Sequence, residues 1–358
     1  MDEKITYDTF FARSFSRSDQ KKLGYGAFIG CLLIALSFCL VFMPYSSPQS
    51  IRLGTSVPKR MNLVCKSEKR SDYCEIKGED VRIDAKSSTV FIVASSQQSI
   101  RDLEDNTTSL LIGPYSRKED QIAMKSVRKW LVKPVMESNV IPHCSQTHSV
   151  PAILFSLGGY SGNNYHDFTD IIIPLYSTAR IFNGEVKFVV TNSNPWWIKK
   201  FRNLVQKLSN YEVIDIDNEE NIHCFTSVVV GLKRAPQELS IDPSKSSYSM
   251  KDFRQFLRSA YSLNKVIPFG GVEWPARAAF GEPSKDMNIR YLDYKIKAEE
   301  SSLIEQYPAD HEVFKNPLSI SKQGWLTFKA VYLDKQDVNL DTNRFKITLL
   351  KALELLHQ

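Results

Sequence analysis

His166, Asp167 and Asp170 stand close together in the run Gly158-Gly-Tyr-Ser-Gly-Asn-Asn-Tyr-His-Asp-Phe-Thr-Asp170, a glycine-rich turn leading into an apolar helix. An imidazole with a carboxylate four residues on shares a helical face with it, and that carboxylate can orient the ring or raise its proton affinity. Such a pair is a candidate general base, and Asp167, one residue round, could reach a hydroxyl in a cleft. Two plainer readings stand beside this one. Acidic residues in a first helical turn complement the helix dipole, and a histidine beside asparagine is often simply hydrogen-bonded structure.

The elements around the triad follow from the sequence pattern. Gly158, Gly159 and Gly162 permit the bend, and Asn163 or Asn164 can cap the helix by accepting backbone N–H bonds. Phe168, Ile171, Ile172, Leu175, Tyr176 and Ala179 recur at helical spacing, with Pro174 expected to kink the element. Short apolar strands are predicted over 90–93, 152–155, 186–190, 211–214 and 226–231. Between the third and fourth, Ser193 or Asn194 and Pro195 open a helix whose Trp197, Phe201, Leu204, Val205 and Leu208 form a buried stripe. A further helix is predicted over 249–262. Strands alternating with helices imply an α/β fold built on a mostly parallel sheet.

The chain has 358 residues, 42% of them hydrophobic, enough for a full core and two domains. Its net charge of +6 comes from 46 basic and 40 acidic residues, and no basic block or aromatic-interleaved repeat points to nucleic acid. Residues 24–43 are uncharged and as a helix would cover roughly 30 Å, the depth of a bilayer core. Pro44 and Tyr45 make a poor cleavage site for a signal peptide, so the span reads as a transmembrane signal-anchor. Arg13, Arg17, Lys21 and Lys22 precede it, which keeps residues 1–23 as a cytosolic tail and makes the remainder lumenal. Residues 44–87 read as a lumenal stem, with the fold proper starting near Ser88.

Cys65, Cys74, Cys144 and Cys224 lie outside the span, an even number that suits an oxidising compartment. Four cysteines allow three connectivities; the pairing favoured is Cys65 with Cys74, which sit together across a short polar loop, and Cys144 with Cys224. No C-x-x-C or suitable histidine pair supports a zinc site. Asn106 begins an N-x-S/T sequon, a glycan acceptor if lumenal. Asp215-Ile-Asp217 has a form that can hold a divalent metal on a sugar-nucleotide diphosphate, although acidic pairs are common at strand ends. Trp196 and Trp197 could stack on a sugar ring or could simply open the core face of their helix. Glu299-Glu-Ser-Ser302 could accept hydrogen bonds from a ribose or a sugar, or could be a solvated helix start.

Taken together, several segments resemble plant glycosyltransferase family 61, Golgi enzymes that decorate xylan with pentoses. The resemblance rests on the run from Gly158 to Tyr176, on His223-Cys-Phe225 with Val228-Val-Val-Gly-Leu232, and on Phe253-Arg-Gln-Phe-Leu257. It continues through Gly281-Glu-Pro, Tyr294, Glu299-Glu-Ser-Ser-Leu303, Tyr307-Pro308, Gly324-Trp325, Tyr332-Leu-Asp-Lys-Gln-Asp-Val338 and Arg344-Phe345. It implies a GT-B-like architecture of two Rossmann-like lobes with a cleft between them. It also implies an inverting, metal-independent transfer from a UDP-pentose to a polysaccharide acceptor with no cofactor, by a single-pass type II protein of the Golgi membrane. Complexes with other Golgi transferases would fit such a protein. On this reading His166, Asp167 and Asp170 form the catalytic side, and Glu299, Glu300 and Arg277 the donor side.

The sequence departs from the family between Leu263 and Asn264. There family members carry several further strands and helices, including an Arg-rich strand and a Gly-Val-His-Gly-Ala-Gly loop, and neither is present. Glycine-rich turns at helix N-termini hold phosphate through backbone N–H groups, so much of the donor cradle would be missing. The expected organisation is a first lobe over 88–263 and a remnant of the second lobe with a C-terminal helix over 264–358. An alternative function goes with it, that of a catalytically inactive truncated isoform that binds the acceptor or partners other transferases.

Overall fold

The computed structural model describes residues 61–95, 109–138, 140–263 and 273–357. The span 24–43, its flanking charges and Asn106 lie outside the described residues. Among the described residues ten strands form one mixed sheet: β1 (Asn62–Ser67), β2 (Asp72–Asp84), β3 (Thr89–Ala94), β4 (Leu110–Ile112), β5 (Trp130–Met136), β6 (Gln146–Thr147), β7 (Ala152–Ser156), β8 (Lys187–Thr191), β9 (Ile214–Asp215) and β10 (His223–Val230). The main order is β4-β5-β3-β2-β10-β7-β8-β9, with β1 beside β2 and β6 beside β10. The strands β10, β7, β8 and β9 run parallel, and β2 joins this block antiparallel.

Every residue of β7 is buried, and Phe188, Val189, Val190 and Thr191 of β8 are buried too, as expected of parallel strands covered on both faces. Alternate residues feed two cores. Ile153, Phe155, Phe188 and Val190 face the helices that follow β7 and β8, whereas Ala152, Leu154 and Val189 join Ile76, Ile83 and Trp130 on the other face.

The fold starts before Ser88. Residues 62–84, expected in a stem, form β1 and β2, and β2 lies inside the sheet between β3 and β10. Cys74 and Ile76 point to the core, then Val81 and Ile83 do so on the opposite parity. The change of parity is a bulge: Phe225 of β10 pairs with Val81, and Ser227 pairs with Lys77. The interruption at Gly78–Asp80 and the charged outward residues hide the period of two. Cys65 faces Cys74 in the β1–β2 register and is disulfide-bonded to it, and Cys144 is bonded to Cys224.

Beyond the sheet the chain is helical. It forms helices at Glu273–Asp286, Glu312–Lys315, Pro317–Lys322, Trp325–Tyr332 and Thr342–His357, and the middle three share a small core of Leu303, Val313, Ile320, Phe328 and Tyr332. Among the described residues this segment contributes no strand to a second sheet, only an isolated bridge between Ser301 and Val338. It meets the first core where Arg254 donates to the Asn288 carbonyl at 2.7 Å and where Met287 packs against that core.

Glu300 ties the C-terminal segment together. It is 7% exposed and accepts from Tyr294 Oη, from the Lys297 N–H at 2.7 Å, the Asp341 N–H at 2.9 Å and Arg344 Nη1 at 2.6 Å. Burial alone would raise its carboxyl, but the four donors prevail and hold it near a pKa of about 2, against an ordinary 4.5. A folded-state value below the unfolded one stabilises above the unfolded value and is lost as pH falls through the folded one. The C-terminal segment is therefore expected to loosen between pH 4.5 and about 2, read as rising amide exchange over residues 290–357. In Glu300→Gln that acid step should disappear.

Candidate functional site at the switch point of the sheet

The strand order β9-β8-β7-β10 reverses direction at β7, because the chain leaves β7 to β8 on one side and returns with β10 on the other. In open α/β sheets ligands bind at such a switch point, outside the carboxyl ends of the strands. Here those ends lead to Gly158 after β7 and to Gly231 and Arg234 after β10. The candidate triad follows β7 directly.

The turn after β7 requires its glycines. At Gly159, φ is +64° and an added Cβ would lie 2.4 Å from the Tyr115 ring; at Gly158 it would lie 2.7 Å from the Ser126 carbonyl oxygen. Asn163 then caps the helix by accepting from the Tyr165 N–H. The helix opens as Asn164–His166, widens to a π-helical turn over Asp167–Ile172 and continues as Ile173–Ala179. Pro174, which lacks an N–H, falls just after the widened turn, and Ile173 donates back five residues to the Phe168 carbonyl. The missing donor is thus absorbed in a change of helical register, and such turns recur at functional sites.

The π turn buries Asp170 completely among donors. Its Oδ2 accepts from His166 Nδ1 at 2.9 Å, Tyr115 Oη at 2.9 Å and Arg117 Nε at 2.8 Å. Arg234 Nη1 stands 2.9 Å from Oδ1 as an ion pair without hydrogen-bond alignment. Burial pushes the Asp170 carboxyl up, but the bonds from His166 and Arg117 and the charge of Arg234 outweigh it and hold it below the usual carboxylate range. An ionised Asp170 only accepts, so His166 Nδ1 carries its hydrogen, and in the neutral ring Nε2 is the nitrogen with the lone pair. His166 is 21% exposed, and its Nε2 has no hydrogen-bond partner among the described residues. Tyr160 and Tyr165 flank the ring with centroids 4.6 and 5.5 Å away. Burial carries the Tyr165 phenol up to about 12, keeping it neutral beside the base.

A second layer fixes the first. Glu238 accepts from Thr169 Oγ1 at 2.6 Å and pairs with Arg117, Arg234 and Arg70, while Arg70 also meets Glu119 at 2.7 Å. Burial opposes ionisation of Glu238, yet Arg234 and the Thr169 hydroxyl keep it below its ordinary value. Arg70, Arg117 and Arg234 are thus matched by Asp170, Glu238 and Glu119. A neutralised cluster positions its members and leaves little field for a diphosphate.

Asp167 is also fully buried, and its placement gives it a holding role. Its Oδ1 accepts from the Gly162 N–H and from Trp197 Nε1, both at 2.8 Å, and its Oδ2 from Lys200 Nζ at 3.0 Å. It locks the glycine turn to the helix after β8. Asp217 accepts from Arg128 at 2.7 Å and from Thr191 at 2.8 Å, and Asp215 accepts from Asn218. No group of three or more His, Cys, Asp or Glu that could hold a metal occurs among the described residues.

The donor-side residues are dispersed. Arg277 pairs with Asp293 at 2.8 Å, one helical turn before Phe280, whose ring packs edge-on at 6.1 Å against Tyr165. Glu299 is exposed, with Lys297 at 3.5 Å, and Glu300 is occupied as the hub already described. Neither glutamate contacts the His166 cluster. A cleft of about 270 Å³, lined in part by Tyr176, Arg180, Lys207 and Tyr248, opens at the other end of the helix that carries His166. It lies roughly 15 Å along the axis from that residue, so it is separate from the base.

Tyr115, Arg117, Arg234 and Glu238 are absent from the sequence-level candidates. The one local hint is a Lys-Arg pair just past Gly231, where a buried strand ends.

No family model matches the chain. The chain is 32% identical to the alpha-1,3-arabinosyltransferase XAT2 of Oryza sativa subsp. japonica, covering 81% of this chain and 64% of the relative. It is 31% identical to the beta-1,2-xylosyltransferase XYXT1 of the same plant, over 91% of this chain and 95% of the relative. The xylan glycosyltransferase MUCI21 of Arabidopsis thaliana is 29% identical, over 79% and 77%. The chain thus spans somewhat less than two thirds of the length of the arabinosyltransferase. The alignment with XYXT1 extends over 446 positions, more than the 358 residues of the whole chain, so stretches of that relative have no counterpart here. Identity of this extent over nearly the whole chain places it in the family of plant xylan arabinosyl- and xylosyltransferases, glycosyltransferase family 61.

Proposed function

We propose that the chain is a wall-glycan glycosyltransferase that moves a pentose from a UDP-sugar to xylan or a related glycan with inversion at the anomeric carbon. The observation that carries this reading is His166 at the switch point, its Nε2 without a hydrogen-bond partner among the described residues and its Nδ1 held by an ionised carboxylate. In such a transfer the acceptor hydroxyl attacks the anomeric carbon as UDP leaves on the opposite side. His166 Nε2 takes the hydroxyl proton. Asp170 fixes the ring and stabilises the imidazolium that forms, and Asp167 holds the turn. Arg277, Glu299 and Glu300 are the donor-side residues, with Arg277 offering the diphosphate a positive charge from the helix that meets Tyr165 and Glu300 shaping the segment.

The proposal places the protein in the Golgi membrane as a single-pass type II protein with the described residues lumenal. Two disulfides suit an oxidising lumen, and residues 24–43 supply the anchor. The second reading, an inactive form that retains the acceptor side, is favoured by one observation: relatives have stretches that this chain lacks. Titration of the full-length protein with UDP, followed by a transfer assay with UDP-xylose and UDP-arabinofuranose on xylo-oligosaccharides, separates the two. Sub-millimolar UDP binding with inverted product supports the transferase; no heat at millimolar UDP and no product supports the inactive form.

A further inference from the structure

Trp196 and Trp197 open the helix Pro195–Lys200 just after β8, on the same edge of the sheet as His166, yet the structure treats them oppositely. Trp197 is 1% exposed and donates to Asp167, whereas Trp196 is 56% exposed. An exposed indole is a large apolar face left in water, and here it is also held in place. Lys200 Nζ stands 4.9 Å from the Trp196 ring centroid while bonding Asn164 Oδ1 at 2.5 Å and Asp167 Oδ2 at 3.0 Å. Asn164 and Asp167 flank His166 in the chain, so a single lysine couples the position of the indole to that of the base.

We propose that Trp196 is the platform on which a pyranose ring of the acceptor glycan stacks, next to the sugar whose hydroxyl meets His166. This deepens the reading of the site given above and rests on it. The C–H groups of a sugar ring are apolar on one side and its hydroxyls lie at the rim, which matches an aromatic face that is rigid, exposed and edged by polar groups. With Lys200 over one face of the indole, the exposed part is left for the glycan. Lys200 can in addition donate to a ring hydroxyl without leaving Asp167, since an ammonium has three hydrogens.

The test is binding of xylohexaose to the full-length protein, followed by calorimetry and by the indole N–H resonance of Trp196. Trp196→Ala should weaken binding about tenfold and Trp196→Phe by less than about threefold, because phenylalanine keeps an aromatic face. Trp325→Ala removes another exposed indole, 63% exposed in the C-terminal segment, and should leave binding unchanged. Equal affinities for wild type and Trp196→Ala overturn the proposal, as does the absence of any wild-type binding at millimolar oligosaccharide. If binding follows Trp196 and no transfer is seen, the platform stands and the transferase reading falls. If transfer occurs and Trp196→Ala leaves the acceptor KM unaltered, the platform falls alone.

Discussion

Replacing Asp170 with alanine is expected to lower the free energy of unfolding by about 3–5 kcal/mol, the range found when one partner of a buried ion pair is removed. Asp170 is 0% exposed and Arg234 is 1% exposed at its side chain, so the loss leaves a buried guanidinium with Glu238, shared with Arg117 and Arg70, as its remaining carboxylate partner. Tyr115 Oη and Arg117 Nε lose their acceptor at the same time. Urea denaturation of the purified protein reads the effect. Asp170→Asn keeps the shape and an acceptor but removes the charge, and should fall between wild type and alanine. Adding Arg234→Met to Asp170→Ala should recover part of the loss, because the excess buried positive charge is then gone. A loss under about 1 kcal/mol in Asp170→Ala would mean that the cluster is solvated and that its ionic framework does not hold the helix.

His166→Ala should behave in the opposite manner. The ring is partly exposed and its Nε2 has no hydrogen-bond partner among the described residues, so stability is expected to stay within about 1 kcal/mol of wild type. Transfer, by contrast, should fall by about 10²–10⁴-fold in kcat, the usual contribution of a positioned base, with the acceptor KM little changed. Free imidazole added to His166→Ala should restore part of the rate, because the cavity left beside Tyr160 and Tyr165 admits it. Full turnover in the alanine variant would remove His166 from the proton-transfer role. The two substitutions thus separate holding from chemistry within one hydrogen bond.

Much of the fold was legible because local signals and tertiary contacts agree. The strand expected over 186–190 is Lys187–Thr191; Pro195 does open its helix under an Asn194 cap; Ser249 caps the helix Met250–Ala260 in a reciprocal box with Asp252. The glycine turn, too, announces itself, since few other residues tolerate the backbone angle at Gly159. What stayed hidden is set by distance or by mixed composition. Arg117 reaches Asp170 across 53 residues of sequence, and no local period marks it. β2 carries Glu75, Lys77, Asp80 and Arg82 on its outward positions and breaks parity midway, so it reads as a polar linker. Arg82 is nevertheless buried, bonded to Asp80 and Glu137. Pro174 signals a disturbance in the helix, but whether a proline produces a bend or a widened turn depends on the packing of Ile171, Ile172 and Ile173 against the sheet. Asp167 looks like a first-turn acid, and only the indole of Trp197, brought over from the next helix, turns it inward.

The position of β2 between β3 and β10 has a consequence for biogenesis. During synthesis β2 emerges long before β10, and at translation speeds of about 5–20 residues per second it waits on the order of 10 s for that neighbour. Over that interval the Cys65–Cys74 hairpin and β3 can form locally, while the far edge of β2, lined by Cys74, Ile76 and Val81, stays unpaired. Nascent chains should therefore engage chaperones until residue 230 has emerged, and their release should coincide with the sheet closing from its middle outward.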